Sequence, residues 1–174
     1  MSDGFSIRPI EPRDDPAVAA IIRSVMTEFG ACGPGYAILD PEVDGMSMAY
    51  SVPRAGYWVV EHATDGSPLN ASESSSRIFG GGGFAALEGA RSDTCELRKM
   101  YFLNPARGRG LGARLLRLNL DAARQSGFRR CYLETLESMK SARRLYEAFG
   151  FRKLRGPLGN TGHYGCNAWY ALEL

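Results

Sequence analysis

Arg107-Gly108-Arg109-Gly110-Leu111-Gly112 lies between an apolar run, Met100-Tyr101-Phe102-Leu103, and an amphipathic one, Ala113-Arg114-Leu115-Leu116-Arg117-Leu118. The order predicts a strand, a glycine-rich turn and a helix. Such a turn exposes backbone N–H groups that no intrahelical partner can take. The helix dipole adds positive potential at the same point, so the turn suits a phosphate or pyrophosphate. Glycines at alternate positions let the backbone approach that ligand without Cβ clashes. A Walker loop would end in Gly-Lys-Ser/Thr, whereas Gly112 is followed by Ala113-Arg114. The dinucleotide fingerprint Gly-x-Gly-x-x-Gly also fails, because the glycines run Gly108-x-Gly110-x-Gly112.

The spacing that fits is Arg/Gln-x-x-Gly-x-Gly/Ala, with Arg107, Gly110 and Gly112 in the defining places. Upstream, Glu96-Leu97-Arg98-Lys99-Met100-Tyr101-Phe102 reads as a strand. Downstream, Ala142-Arg143-Arg144-Leu145-Tyr146-Glu147-Ala148-Phe149-Gly150-Phe151 follows Ala-x-x-Leu-Tyr-x-x-x-Gly-Phe. Through these segments the chain resembles the GNAT N-acetyltransferase superfamily, in particular its small stand-alone bacterial members. The resemblance implies an α/β (α+β) fold: a central mixed, mostly antiparallel twisted sheet of about seven strands with helices on both faces. It also implies one domain over residues 1–174, acetyl-CoA as co-substrate and no metal.

Bulk properties agree. The chain has 174 residues, 44% of them hydrophobic and 23% charged, enough for one domain with its own core. A net charge of +2 is too small to suggest nucleic acid as partner. Arg114, Arg117 and Arg124 read as a solvated helix face. Cys32, Cys95, Cys131 and Cys166 lie far apart and form no zinc pattern. No signal peptide is visible, and no apolar run approaches the roughly 20 residues that span a membrane. The chain therefore reads as reduced and cytoplasmic, without a membrane partner.

Along the chain, Phe5 to Ile10 alternates as a strand does. A helix starts at Asp14-Asp15-Pro16, with Asp15 as its cap, and stops at Gly30. A short second helix is expected over Pro41 to Tyr50. Strands follow at Gly56–Glu61, Arg77–Leu87 and Cys95–Leu103, with an exposed hairpin loop at Thr64–Ser76. Gly80 to Gly83 marks a bulge or close backbone approach, or else a loose hairpin end. A helix from about Arg109 to Ser126, a strand at Arg130–Thr135 and a helix from Ser138 to Phe149 come next. Strands at Phe151–Arg155 and Asn167–Leu172 close the chain.

The resemblance assigns roles. Met100, Tyr101 and Phe102 would border the pantetheine arm, which pairs with free strand backbone. The pyrophosphate would rest on the amides of Arg107, Gly108, Arg109, Gly110, Leu111, Gly112 and Ala113, with charge from Arg107 and Arg109. Lys140 or Arg143 would meet the adenine or 3′-phosphate. Met139 occupies a position where the family often has an asparagine.

A protonated amine cannot attack a thioester, so a general base helps. Glu96 is the first candidate, against a plain ion pair with Arg98 or Lys99; Glu134 competes with it. Tyr146 matches the family's general acid, against a purely packing role. The Met100 amide would hold the oxyanion. His163 would border the acceptor site or simply sit on a surface loop. Gly33, Tyr36 and Tyr57 are further candidate lining residues. Cys95 and Cys131 have no neighbouring histidine in sequence, which favours direct transfer in a ternary complex. The acceptor would be a primary amine, with a small amine or amino acid ahead of a peptide lysine or N-terminus. The resemblance also allows a homodimer. The rival from another class is a non-catalytic acyl-CoA sensor on the same fold.

Overall fold

The computed structural model describes residues 4–62 and 78–174. The hairpin loop expected at Thr64–Ser76 lies outside the described residues. Seven strands form one sheet: β1 (Phe5–Pro9), β2 (Gly56–His62), β3 (Ile78–Ala86), β4 (Thr94–Phe102), β5 (Arg130–Thr135), β6 (Arg152–Lys153) and β7 (Ala168–Glu173). Their spatial order is β1-β2-β3-β4-β5-β7-β6. Among the described residues only β4 and β5 pair in parallel; every other neighbouring pair is antiparallel.

Strand alternation sends side chains to two layers. Tyr57 and Val59 meet α1 (Asp15–Glu28) and α2 (Met46–Ala49) on one face, through Val18, Ile22, Met26 and Met46. On the other face, Leu97, Leu133 and Tyr170 pack against Leu116 and Leu120 of α3 (Leu111–Gln125) and Tyr146 of α4 (Lys140–Ala148). The expected helices on both faces are therefore present. The expected second helix begins as a 3-10 turn over Pro41–Asp44 and becomes α-helical only at Met46. Asp15 does not cap α1; its carboxylate accepts from the Ser47 amide (2.7 Å) and hydroxyl (2.6 Å) and ties α2 to α1.

The glycine run lies inside β3, and its neighbours explain it. A Cβ at Gly81 would come within 2.7 Å of the Tyr57 ring, and one at Gly82 within 2.9 Å of the Met100 side chain. At Gly80 it would meet the Phe102 ring at 2.6 Å, and at Gly83 the Gly56 carbonyl. Side chains from β2 and β4 thus lie across a bare strand. Close approach is the observed arrangement, and against β4 the extra bulge residue is on the facing strand; against β2 the register shifts beside the run, where Val60 pairs with Gly80 and Glu61 with Ile78. Gly81 pairs with Tyr101 and Gly83 with Arg98, so Gly82 alone opposes Lys99 and Met100. Lys99 takes φ 50°, uncommon for a residue with a side chain.

Candidate active site

Pairing between β4 and β5 covers Thr94–Arg130, Cys95–Cys131 and Glu96–Tyr132 and then stops, although both strands continue. The strands part into a wedge. A cavity of about 50 Å³ sits there, lined by Leu97, Lys99 and Tyr101 from β4 and by Leu133, Glu134 and Thr135 from β5. It adjoins a groove of about 440 Å³ that runs between the glycine loop and the start of α4. Met100, Tyr101, Met139, Ala142 and Tyr146 line both.

The groove ends on α3. Gly108 and Gly110 both have φ 74°, a left-handed conformation that glycine adopts freely. The first bond of the helix runs from the Arg114 amide to the Gly110 carbonyl (3.1 Å), and no side chain caps it. The amides of Leu111, Gly112 and Ala113 therefore precede the ladder, with the positive end of the dipole behind them. A Cβ on Gly112 would stand 3.2 Å from Leu145, so glycine here also lets α3 approach α4.

At the wedge, carboxylate and imidazole groups converge: Glu96, Glu134 and His163 bring ligand atoms within 4.8 Å of one another. Glu96 is paired with Arg98 (2.6 Å), not with Lys99. Burial raises its pKa, against the lowering effect of Arg98 and His163. Glu134 accepts from the Tyr132 hydroxyl (2.6 Å) and the Thr161 hydroxyl (3.0 Å), and lies 3.7 Å from His163 Nδ1. His163 Nε2 bonds Asp40 (3.0 Å). Burial would lower the His163 pKa, but the hydrogen bond and charge of Asp40, helped by Glu96, reverse it and the pKa rises.

Asp40 also accepts from Lys99 Nζ (2.7 Å), which reaches Glu42 as well (2.6 Å). The Lys99 carbonyl takes the Tyr57 hydroxyl (3.0 Å). The bulge is thus held from both ends, which offsets the roughly 1–2 kcal/mol cost of its left-handed backbone. Tyr146 is buried, and its hydroxyl makes no hydrogen bond among the described residues. Burial raises its pKa well above the usual phenol, so it stays protonated.

A family model for the Acetyltransferase (GNAT) family matches residues 34–151. The chain belongs to this family. It is 41% identical over 169 residues to the uncharacterized N-acetyltransferase YjgM of Escherichia coli (strain K12), covering 97% of this chain and 94% of that one. It is 26% identical over 141 residues to the uncharacterized N-acetyltransferase C1271.07c of Schizosaccharomyces pombe (strain 972 / ATCC 24843), covering 81% and 78% of the two chains. A Staphylococcus aureus Mu50 acetyltransferase of the GNAT family shares the fold with a TM-score of 0.72 at 18% identity, over 97% of this chain and 98% of that one. The structure of yncA from Salmonella typhimurium, with its cofactor acetyl-CoA, has a TM-score of 0.67 at 17% identity, over 98% and 94%.

In this GNAT acyltransferase the residues expected at the donor site divide. Met100, Tyr101, Phe102, Arg107, Gly108 and Gly112 line the groove. The Leu111 side chain is core, leaving only its backbone for a ligand. Arg109 folds back onto the Pro105 carbonyl (2.7 Å) and the Phe5 ring. Arg143 donates to the Tyr170 hydroxyl (2.9 Å) and the Glu137 carbonyl (3.1 Å) and does not line the groove, whereas Lys140 does.

Tyr57 is buried in the core and its hydroxyl braces the bulge. Tyr36 lines the wedge cavity; Gly33 does not. His163 is anchored by Asp40 and is no free surface histidine. Asp40, Glu42 and Lys99 had no assigned place in the site. Cys166 lines the wedge, but burial, with Glu134, Glu96 and Asp40 nearby, pushes its thiol up to about 12. No helix among the described residues is long and apolar enough to cross a membrane.

Proposed function

We propose that this enzyme transfers acetyl from acetyl-CoA to a primary amine, a small amine or amino acid, by direct attack in a ternary complex. The observation that carries this reading is the junction at Tyr146, where a groove ending on uncapped helix amides meets a wedge lined by a carboxylate. The residues fit the donor: the amides of residues 111–113 would hold its pyrophosphate, and strand backbone beyond Glu96, unpaired with β5, would take the pantetheine arm. Acetyl-CoA supplies the activated thioester.

The chain's residues do the rest. Glu96, clustered with Glu134 and His163, takes the proton from the amine, and Glu134 is the member of the cluster that lines the wedge. The Met100 amide, next to the bulge, stabilises the oxyanion. Tyr146 returns a proton to the leaving thiolate. The raised thiol pKa of Cys166, and that of Cys131 beside Cys95, speaks against an acyl-cysteine route.

The test is loss of thioester absorbance from acetyl-CoA across amino acids, alkyl amines, polyamines and lysine peptides. Turnover with a small amine or amino acid is expected. Turnover confined to peptides would refute the acceptor class. Tight acetyl-CoA binding with silence throughout would favour a sensor.

A further inference from the structure

The motif arginine has little left to offer a phosphate. A guanidinium carries five N–H donors. In Arg107, Nε donates to the Phe102 carbonyl (2.7 Å), one terminal nitrogen to Glu28 Oε1 and Asn104 Oδ1 (2.7 Å each), and the other to Glu28 Oε2 (2.7 Å). The Glu28 contact is a two-pronged ion pair, the geometry in which carboxylate and guanidinium match best. The pair neutralises the charge that would otherwise face an anion.

Glu28 stands in an unfavourable place for a carboxylate. It is the last residue of α1, whose final turn holds no basic residue, so it faces the negative end of the helix dipole. Its compensation is Arg107, 79 residues further on. The same turn of α1 contributes Val25 and Phe29 to the donor groove, and the Arg107 guanidinium also lies 5.8 Å from the Phe29 ring centre.

We infer that Glu28 is a positioning residue for the acyl donor: through Arg107 it straps the end of α1 to the glycine loop and sets the apolar wall of the groove. Arg107 is the buckle of that strap, and the pyrophosphate meets backbone amides instead of its side chain. This inference rests on the groove being the acetyl-CoA site.

The two roles for Arg107 predict opposite signs at Glu28. If Arg107 is a phosphate ligand, Glu28 competes with the pyrophosphate, and removing its charge tightens binding. If Arg107 is a strap, removing the charge loosens binding. Both side chains are partly exposed, so the variants should fold; thermal melting checks this.

The experiment is calorimetric titration of acetyl-CoA into the full chain. Glu28→Gln and Arg107→Gln should each weaken binding about three- to tenfold. The double variant should be no worse than either single one. Unchanged or tighter binding in Glu28→Gln, with loss only in Arg107→Gln, would overturn the strap. So would a double variant that binds more weakly than either single one. Gly110→Arg is the control for the site itself: if that variant binds acetyl-CoA normally, the groove assignment has failed and not the strap.

Discussion

Groups that would meet the pyrophosphate are consecutive amides, residues 111–113, whereas the proposed acceptor wedge draws Tyr36, Lys99, Glu134 and Cys166 from separate stretches of chain. On the proposed reading the donor side recognises with backbone, so its signature is a contiguous pattern of glycines. The proposed acceptor side offers side chains held by one another: Lys99 by Asp40 and Glu42, His163 by Asp40, Glu134 by Tyr132 and Thr161. A backbone site survives many side-chain changes and fails when the turn is blocked. A side-chain network fails by degrees as its members lose partners.

The sharpest break in that contrast is at the junction. Tyr146→Phe should lower turnover by about 10²–10⁴-fold, the usual contribution of a positioned acid, while leaving acetyl-CoA affinity intact. Steady-state kinetics beside calorimetry checks it, and unchanged turnover would remove Tyr146 from its role. Next, Gly110→Arg should abolish measurable acetyl-CoA binding, because it forces a side chain into a left-handed position where, on the proposed reading, the ligand's phosphates would approach. By contrast, Arg114→Ala, which trims an exposed side chain in the first turn of α3 and spares the backbone, should leave binding unchanged in the same titration.

Smaller effects belong to the sheet. Gly81→Ala should destabilise the protein by about 1–3 kcal/mol, because the added methyl meets the Tyr57 ring and the Trp58 carbonyl. Denaturant melts measure this; a neutral result would mean that β2 yields easily.

The finest probe is Asp40→Asn. Asp40 raises the His163 pKa in the fold, so the variant's His163 should titrate lower. A raised histidine pKa stabilises the fold fully below about pH 6.5, and that stabilisation is lost as pH rises through the folded value. Asp40 itself, held low by His163 and Lys99 despite burial, contributes above its ordinary value near 4. The stability gap between wild type and variant should therefore be widest between about pH 4 and 6.5 and narrow above it. Proton NMR can follow this directly, since His62 is the other of two histidines. A His163 titration that ignores Asp40 would dissolve the proposed network.

How much was legible follows the same divide. The glycine loop, the Tyr146 motif and β5 were readable because local order carries them; β5 has the bounds read from the sequence, Arg130–Thr135. Lys99 was not, since nothing near it signals a positive φ, and its partners are 57 and 59 residues away. Tyr57 looked like a lining aromatic because sequence does not show that its hydroxyl is spent on a carbonyl across the sheet. Arg143 was placed in the donor site from its position in a motif, but α4 turns Ala142, Leu145 and Tyr146 to the groove and sends Arg143 to Tyr170.

The bare third strand has a consequence for how this protein can change. Tyr57 and Gly81 occupy the same space, one by filling it and the other by leaving it open. A library that varies β3 alone would return mostly losses there. One that first shortens Tyr57 would open room for a side chain at Gly81, at the cost of the hydroxyl that steadies Lys99. Substitutions at the two positions should be strongly epistatic, and the route to a side chain at Gly81 passes through a variant with a loosened bulge.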